Sequence, residues 1–349
     1  MRAAGITEFS GPVQPLTLPE LDEPGPDEVL IDVRYSGVAG WDDVVRTGDW
    51  DVGRQPPMAL GVAMAGVVAR PGGADSQLRP GQPVMAHSLP LRRQGTWAEQ
   101  FICAAADVAP LPDGLPFKVA GAAPVPLLTA EQALRMGQGA LPAASQVPGE
   151  PGQQSAPGAK PGGAGRATAA EDRPADPAAG LDGMTVLVSG AGGVTGLVLV
   201  QLAAYLGGRV LATAGQRSAG RVRAAGAAEV IDYRADNWPG QVRALTGGTG
   251  TDLAVNAAPG SAAAALRAVR DGGALVTITS DLPPAERGIT VSQLYVAPDG
   301  PRLTWLGTLL AAGVLRVTPA ADYGLGQAAE ALGHAISGTG GQSVLLRTA

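Results

Sequence analysis

Seven residues, Gly190, Ala191, Gly192, Gly193, Val194, Thr195 and Gly196, follow the apolar run TVLVS and precede a stretch with helical periodicity. Glycines at this spacing let the chain turn sharply and bring its backbone close to a phosphate, which the N-terminus of the next helix stabilises. The chemistry indicated is binding of a pyrophosphate. The alternative is a tight strand-to-helix turn without a ligand, and the strand–helix–strand context favours the nucleotide. The next apolar run, RVLAT, ends in Ala214, Gly215, Gln216, Arg217 and Ser218, followed by Arg221. No carboxylate stands there to accept from a ribose 2′-hydroxyl, whereas Arg217 and Arg221 offer bidentate contacts to a 2′-phosphate. NADPH is therefore expected over NADH. The competing view is that Arg217, Arg221 and Arg223 form the solvated face of a helix, in a chain where 23 of the 25 Lys and Arg residues are Arg.

The elements that must position these residues follow from the pattern around them. From residue 184 onward, apolar runs at 185–189, 209–213, 229–232, 252–256 and 274–278 alternate with Ala- and Arg-rich helical stretches, which predicts a doubly wound parallel sheet. Residues 1–110 instead carry short β segments at 28–36, 63–69, 82–86 and 98–103 between Gly, Pro and Asp turns, an irregular β-rich domain. Residues 120–135 read as helix. Between 136 and 180 Ala, Gly and Pro dominate without any apolar period, so a flexible surface insertion is expected, with a lid or docking tether as the alternative. Helices are read at 302–312 and 330–337, and a closing strand at 342–347 with a possible return to the first domain.

A length of 349 residues is room for about two domains. With 45% hydrophobic and 16% charged residues the chain is globular, and a net charge of -6 supplies no basic field for nucleic acid. The lone Cys103 excludes an internal disulfide and is expected buried and inert; with no secretory leader pattern the cytoplasm is the expected compartment. No run of about 18 apolar residues occurs, so no membrane span is expected.

Several segments carry a family likeness in their order: GVAGWDDVVRTGDW from Gly37, LGVAMAGVV from Leu60, GTWAEQFICAAADVAPLPDGL from Gly95, AAPVPLLTAEQAL from Ala122, the glycine turn, AAGAAEVIDYR from Ala224, and GGQSVLL near the end. Outside 136–180 the chain resembles the zinc-independent, quinone oxidoreductase-like branch of the medium-chain dehydrogenase/reductase superfamily. The resemblance implies an α/β fold in which a GroES-like β-rich catalytic domain, 1–125 and 300–349, is split around a Rossmann doubly wound parallel-sheet domain, 126–299. It implies hydride transfer from NADPH in the cleft between them and a homodimer, for which 290–298 is the expected sheet edge. By position it places Thr129 near the nicotinamide, and Ser218, Arg221 and Tyr233 at the 2′-phosphate and adenine end, although Tyr233 is equally read as a packed residue at a strand end. Asn256, closing the strand DLAVN, is counted with the cofactor-binding residues.

Departures from the family pattern bear on the chemistry. Ala39 stands where zinc-dependent relatives carry a ligand cysteine and quinone reductases usually an asparagine; Ala63 and Val44 replace an acidic residue and a tyrosine. With two histidines, His87 and His334, and one cysteine, no metal is expected. No catalytic residue is assigned. The polar cleft candidates are Asp42, also read as a partner that fixes its loop; Trp41 and Trp50, walls or ordinary core; and His87, a proton donor or a solvated or hydrogen-bonded loop histidine beyond a strand. The expected function is metal-independent reduction of a quinone or an enone on an apolar small molecule. A secondary-metabolite or enoyl-thioester reductase is one alternative; a degenerate nucleotide-binding or redox-sensing protein is another.

Overall fold

The computed structural model describes residues 1–73, 76–141 and 180–348. The first region runs through β1 (Arg2–Ile6), β2 (Gln14–Thr17), β3 (Glu28–Val38), α1 (Gly40–Thr47), β4 (Met58–Ala59), β5 (Ala63–Pro71), β6 (Pro83–His87), β7 (Gln100–Ala104) and β8 (Val108–Pro110). Two helices follow, α2 (Phe117–Ala122) and α3 (Pro124–Gly139). The second region holds β9 (Thr185–Ser189), α4 (Val194–Tyr205), β10 (Arg209–Thr213), α5 (Gln216–Ala224), β11 (Glu229–Ile231), α6 (Trp238–Ala244), β12 (Thr251–Asn256), α7 (Ala262–Ala268), β13 (Val269–Thr277) and β14 (Thr290–Gln293). The chain closes with α8 (Gly300–Ala311), β15 (Pro319–Gly324), α9 (Ala328–Ser337) and β16 (Ser343–Arg347).

The second region forms a six-stranded sheet in the order β11-β10-β9-β12-β13-β14, with every pairing parallel. Its central strands are continuous apolar runs because helices cover both faces, so no side of β9 meets water. The first region forms a seven-stranded sheet in the order β15-β16-β3-β5-β6-β8, with β7 paired to β3, and a small sheet β2-β1-β4. The last strand does return: β16 lies antiparallel to β3, Val344 opposite Val38, and brings β15 with it. The expected fold class is the observed one.

The expected helix over 120–135 is in fact two. Pro124 has no N–H to bond the Ala120 carbonyl, so the helical ladder breaks there and α2 ends at Ala122, although Ala123 keeps helical dihedrals; the fixed φ of Pro124 then suits the first turn of α3. The second helix also runs on to Gly139, so 136–139 are helical; 142–179, the bulk of the expected insertion, lie outside the described residues. α3 is buried along most of its length because it packs on β12 and β13 of one sheet and on β5 and β6 of the other. Its position makes it the spine of the junction. β14 is an edge strand, as expected for 290–298. No helix among the described residues is long and apolar enough to cross a membrane.

Candidate functional site

Where β9 ends, Gly190 turns at φ 81°, a left-handed conformation that a side chain would strain, and its N–H donates to Thr213 Oγ1 at 3.1 Å. A Cβ on Gly196 would collide with the Gly190 carbonyl oxygen, so the third glycine is what lets α4 start tight against the strand. Gly193 caps α4 without any side chain, and a Cβ there would meet nothing nearer than 3.7 Å. The first-turn N–H groups, including those of Val194 and Thr195, have no partner within their own helix. These features fit a pyrophosphate.

Beside the turn, Ser218 lies so close to Gly192 that a Cβ on the glycine would stand 2.9 Å from Ser218 Oγ. Arg221 Nη2 donates to Ser218 Oγ at 3.3 Å and to the Gly340 carbonyl, in the loop between α9 and β16. That loop rests on the turn: a Cβ on Gly341 would be 2.7 Å from Gly192 O. Arg217 is exposed on the first turn of α5. Tyr233 is exposed just beyond β11, and Arg234 lies over its ring at 4.8 Å, with Nη1 2.9 Å from where a Gly215 Cβ would be. The structure thus brings Ser218, Arg221, Tyr233 and Arg234 together around the end of β10. Arg234 was not anticipated from the sequence. Its signal was the parallel pairing of β11 with β10, which places residues after the two strands side by side.

On the opposing side, Asp42 is fully buried and its Oδ2 accepts from Ala39 N at 2.8 Å, closing the N-terminus of α1. Burial pushes its carboxyl up to about 7, against the pull of the Ala39 and Gly61 backbone N–H groups. The Ala39 contact is the kind a partner that fixes its loop would make, while Oδ1 is buried without a hydrogen-bond partner. Val62, next to Gly61, takes a hydrogen bond at 2.9 Å from His87 Nδ1. Of the expected outcomes, a solvated or hydrogen-bonded loop histidine, the hydrogen bond is present but the loop position and the solvation are not: His87 is the last residue of β6 and wholly buried, with the Val296 backbone against it. Burial also pulls its pKa down, so the ring is neutral near pH 7. Trp41 and Trp50 are half-buried against the first region's core.

Thr129 is buried on α3. The Asn256 amide donates to Thr277 Oγ1, Thr279 Oγ1 and Asp281 Oδ1 at 3.2, 2.9 and 3.3 Å, and Asp281 Oδ2 accepts from Ala262 N at the start of α7. Asn256 is therefore a tie between strand ends, with its donors already engaged. Its neighbour across the sheet, Ser189, is buried with Oγ unpartnered. Cys103 is buried in β7, and burial pushes its thiol well up. His334 accepts from or donates to Tyr323 Oη at 2.9 Å, away from these groups. Among the described residues no group of three or more His, Cys, Asp or Glu could hold a metal ion. The donor set does not fit one.

Two family models match: the alcohol dehydrogenase GroES-like domain over residues 25–113, and the zinc-binding dehydrogenase over 225–340. The quinone oxidoreductase of Pongo abelii is 28% identical over 260 residues, 73% of this chain. The match covers 65% of that relative, so the chain spans just under two thirds of its length. The pikromycin polyketide synthase component PikAII of Streptomyces venezuelae is 28% identical over 327 residues, 89% of this chain and 7% of that protein. A solved NAD-dependent alcohol dehydrogenase, 25% identical, superposes with a TM-score of 0.78 over 100% of both chains. A mycobacterial protein solved in complex with NADPH is 25% identical, with a TM-score of 0.77 over 100% of both.

Proposed function

The chain belongs to the medium-chain dehydrogenase/reductase superfamily, in its quinone oxidoreductase-like branch, and from that premise we propose an NADPH-dependent, metal-independent reductase of a quinone or of an electron-poor C=C bond in an apolar small molecule. The observation that carries the reading is the bare N-terminus of α4 beside a cluster of Ser218, Arg221 and Arg234, in a stretch, 214–224, with no carboxylate. When bound, the cofactor supplies the hydride; the chain's part is to hold it, orient it and keep water out.

The glycine turn holds the pyrophosphate, and the arginines and Ser218 take the 2′-phosphate, where guanidinium forks match three anionic oxygens. A phosphate there competes with the Gly340 carbonyl for Arg221. Thr129, buried on α3, is assigned to the nicotinamide half by its position in the family pattern. Asp42 Oδ2 and His87 Nδ1 are each engaged by backbone groups, while Asp42 Oδ1 and His87 Nε2 are buried without a hydrogen-bond partner; on this reading the proton that completes reduction comes from solvent. We expect a homodimer through the free edge of β14, where Tyr295 is 68% exposed.

Fluorescence titration with NADPH and NADH, followed by addition of a small quinone and a conjugated enone, tests this. Tighter NADPH binding and oxidation by either acceptor are expected. Failure to bind either nucleotide refutes the reading, and binding without oxidation points to a sensor. A second reading, reduction of an enoyl thioester, is favoured by the polyketide synthase component, whose match spans more of this chain than that of the quinone oxidoreductase. A short enoyl thioester in the same assay separates the two.

A further inference from the structure

The loop after β14 is tied down by a side chain that neither the fold nor the proposed chemistry requires. Gln132, buried on α3, makes both backbone hydrogen bonds of Ala297: Nε2 donates to Ala297 O at 2.8 Å, and Ala297 N donates to Oε1 at 3.0 Å. One carboxamide thus replaces a strand neighbour. Ala297 itself is exposed, so water could satisfy these groups, and what the clamp adds is a fixed position. The same loop is pinned at its start by Leu294 N on Thr277 O at 2.9 Å, and at its end by Asp299, which caps α8. Beyond the cap, Arg302 pairs at 2.7 Å with the buried Glu131, next to Gln132 on α3.

Between these points Val296 packs against the cores of both regions and its backbone covers His87. In a doubly wound sheet the ligand lies outside the carboxyl ends of the strands, one nucleotide half on each side of the glycine turn. Since α5 and the arginines take the β10 side, the β12–β14 side is left for the nicotinamide half, and the loop at 294–298 is its wall. Thr129 is one helical turn before Gln132, on the same side of α3.

We propose that Gln132 is a positioning residue, which holds the 294–298 loop in the register that receives the nicotinamide half of the cofactor. The inference rests on the function proposed above. Its test compares two ligands on the intact chain: NADPH, which spans both halves, and 2′,5′-ADP, which occupies only the adenosine end. In Gln132→Leu, NADPH affinity falls roughly tenfold while 2′,5′-ADP affinity stays within about twofold. Gln132→Glu keeps the length and the acceptor for Ala297 N–H but cannot donate to Ala297 O, and falls between.

Hydrogen exchange of the Ala297 amide, slow in the parent and fast in Gln132→Leu, reports the clamp without any cofactor. Should Gln132→Leu not fold, Gln132→Glu carries the same comparison. Parallel loss of both ligands means general loosening and overturns the proposal, as does unchanged NADPH affinity in both variants. Failure of the parent to bind NADPH overturns the functional reading, and the positioning role with it.

Discussion

At the β10 end of the junction Ser218, Arg221 and Arg234 keep their polar ends accessible and crowd around a glycine turn, whereas across the junction Asp42 and His87 are sealed from solvent and bonded to backbone. A guanidinium in solvent costs little to leave waiting for a phosphate. A buried carboxylate without a cationic partner is costly, and Asp42 responds by favouring its proton. The two sides thus divide the labour. Under the proposed function, the first side would recognise an anion, and the second would supply buried polar groups held by backbone rather than by solvent.

The comparison breaks first at Asp42. Its folded pKa, about 7, stands above the unfolded value of 3.8, so its contribution to stability is complete below about pH 4 and lost as pH rises through 7. The loss amounts to an order of 4 kcal/mol. Asp107, also raised by burial to about 6, acts in the same direction at lower pH. His87 has the opposite sign: its lowered pKa favours the fold above 6.5 and ceases to as pH falls. Asp42→Asn keeps an oxygen for Ala39 N–H and cannot ionise. Its unfolding free energy should therefore match the parent near pH 3.5, exceed it progressively above pH 4, and exceed it most at pH 8, with turnover retained, in denaturant titrations paired with rate assays. Loss of turnover in this variant would make Asp42 a proton donor and undo the contrast.

Gly193→Asp addresses the other side with a smaller effect. There is room for the side chain, so the fold survives, but its carboxylate stands where phosphate charge must sit. NADPH affinity should fall roughly a hundredfold, about 3 kcal/mol. Calorimetry showing less than a threefold change would mean that the pyrophosphate does not use this helix.

What was readable from the sequence follows how local each signal is. The strand TVLVS, its glycine turn and α4 were legible because an apolar run buried on both faces and a turn that only glycine makes are written in consecutive residues. β15 was not, since PAADYG is a half-exposed edge strand with neither an apolar run nor alternation. The environment of His87 was also hidden: the residues after it, SLP, read as loop, and its burial is imposed by Val296, more than two hundred positions away. Gln132 read as one polar residue in a helix, and only the folded loop shows what its amide does.

Arg234 carries the smallest effect and the sharpest form of the contrast, because it asks whether the cationic cluster recognises a phosphate or is merely solvated. Its guanidinium lies over Tyr233, which fixes its plane, and reaches toward Gly215 at the head of α5. It also stands 3.8 Å from Asp232, an exposed pair worth little by itself. If the cluster binds a 2′-phosphate, Arg234→Ala removes one charge-assisted contact and weakens NADPH roughly tenfold, about 1.4 kcal/mol. NADH, which lacks the phosphate, should bind within about twofold of the parent, so the ratio of the two dissociation constants is the readout. Arg221→Ala differs in a useful way: it also frees the Gly340 loop, so some of its cost falls on both cofactors alike. A tenfold change in the ratio for Arg234, with a shared component for Arg221, would separate recognition from bracing on one surface. An unchanged ratio in both would assign these arginines to the solvated face of α5 and its neighbour, leaving cofactor choice to residues elsewhere.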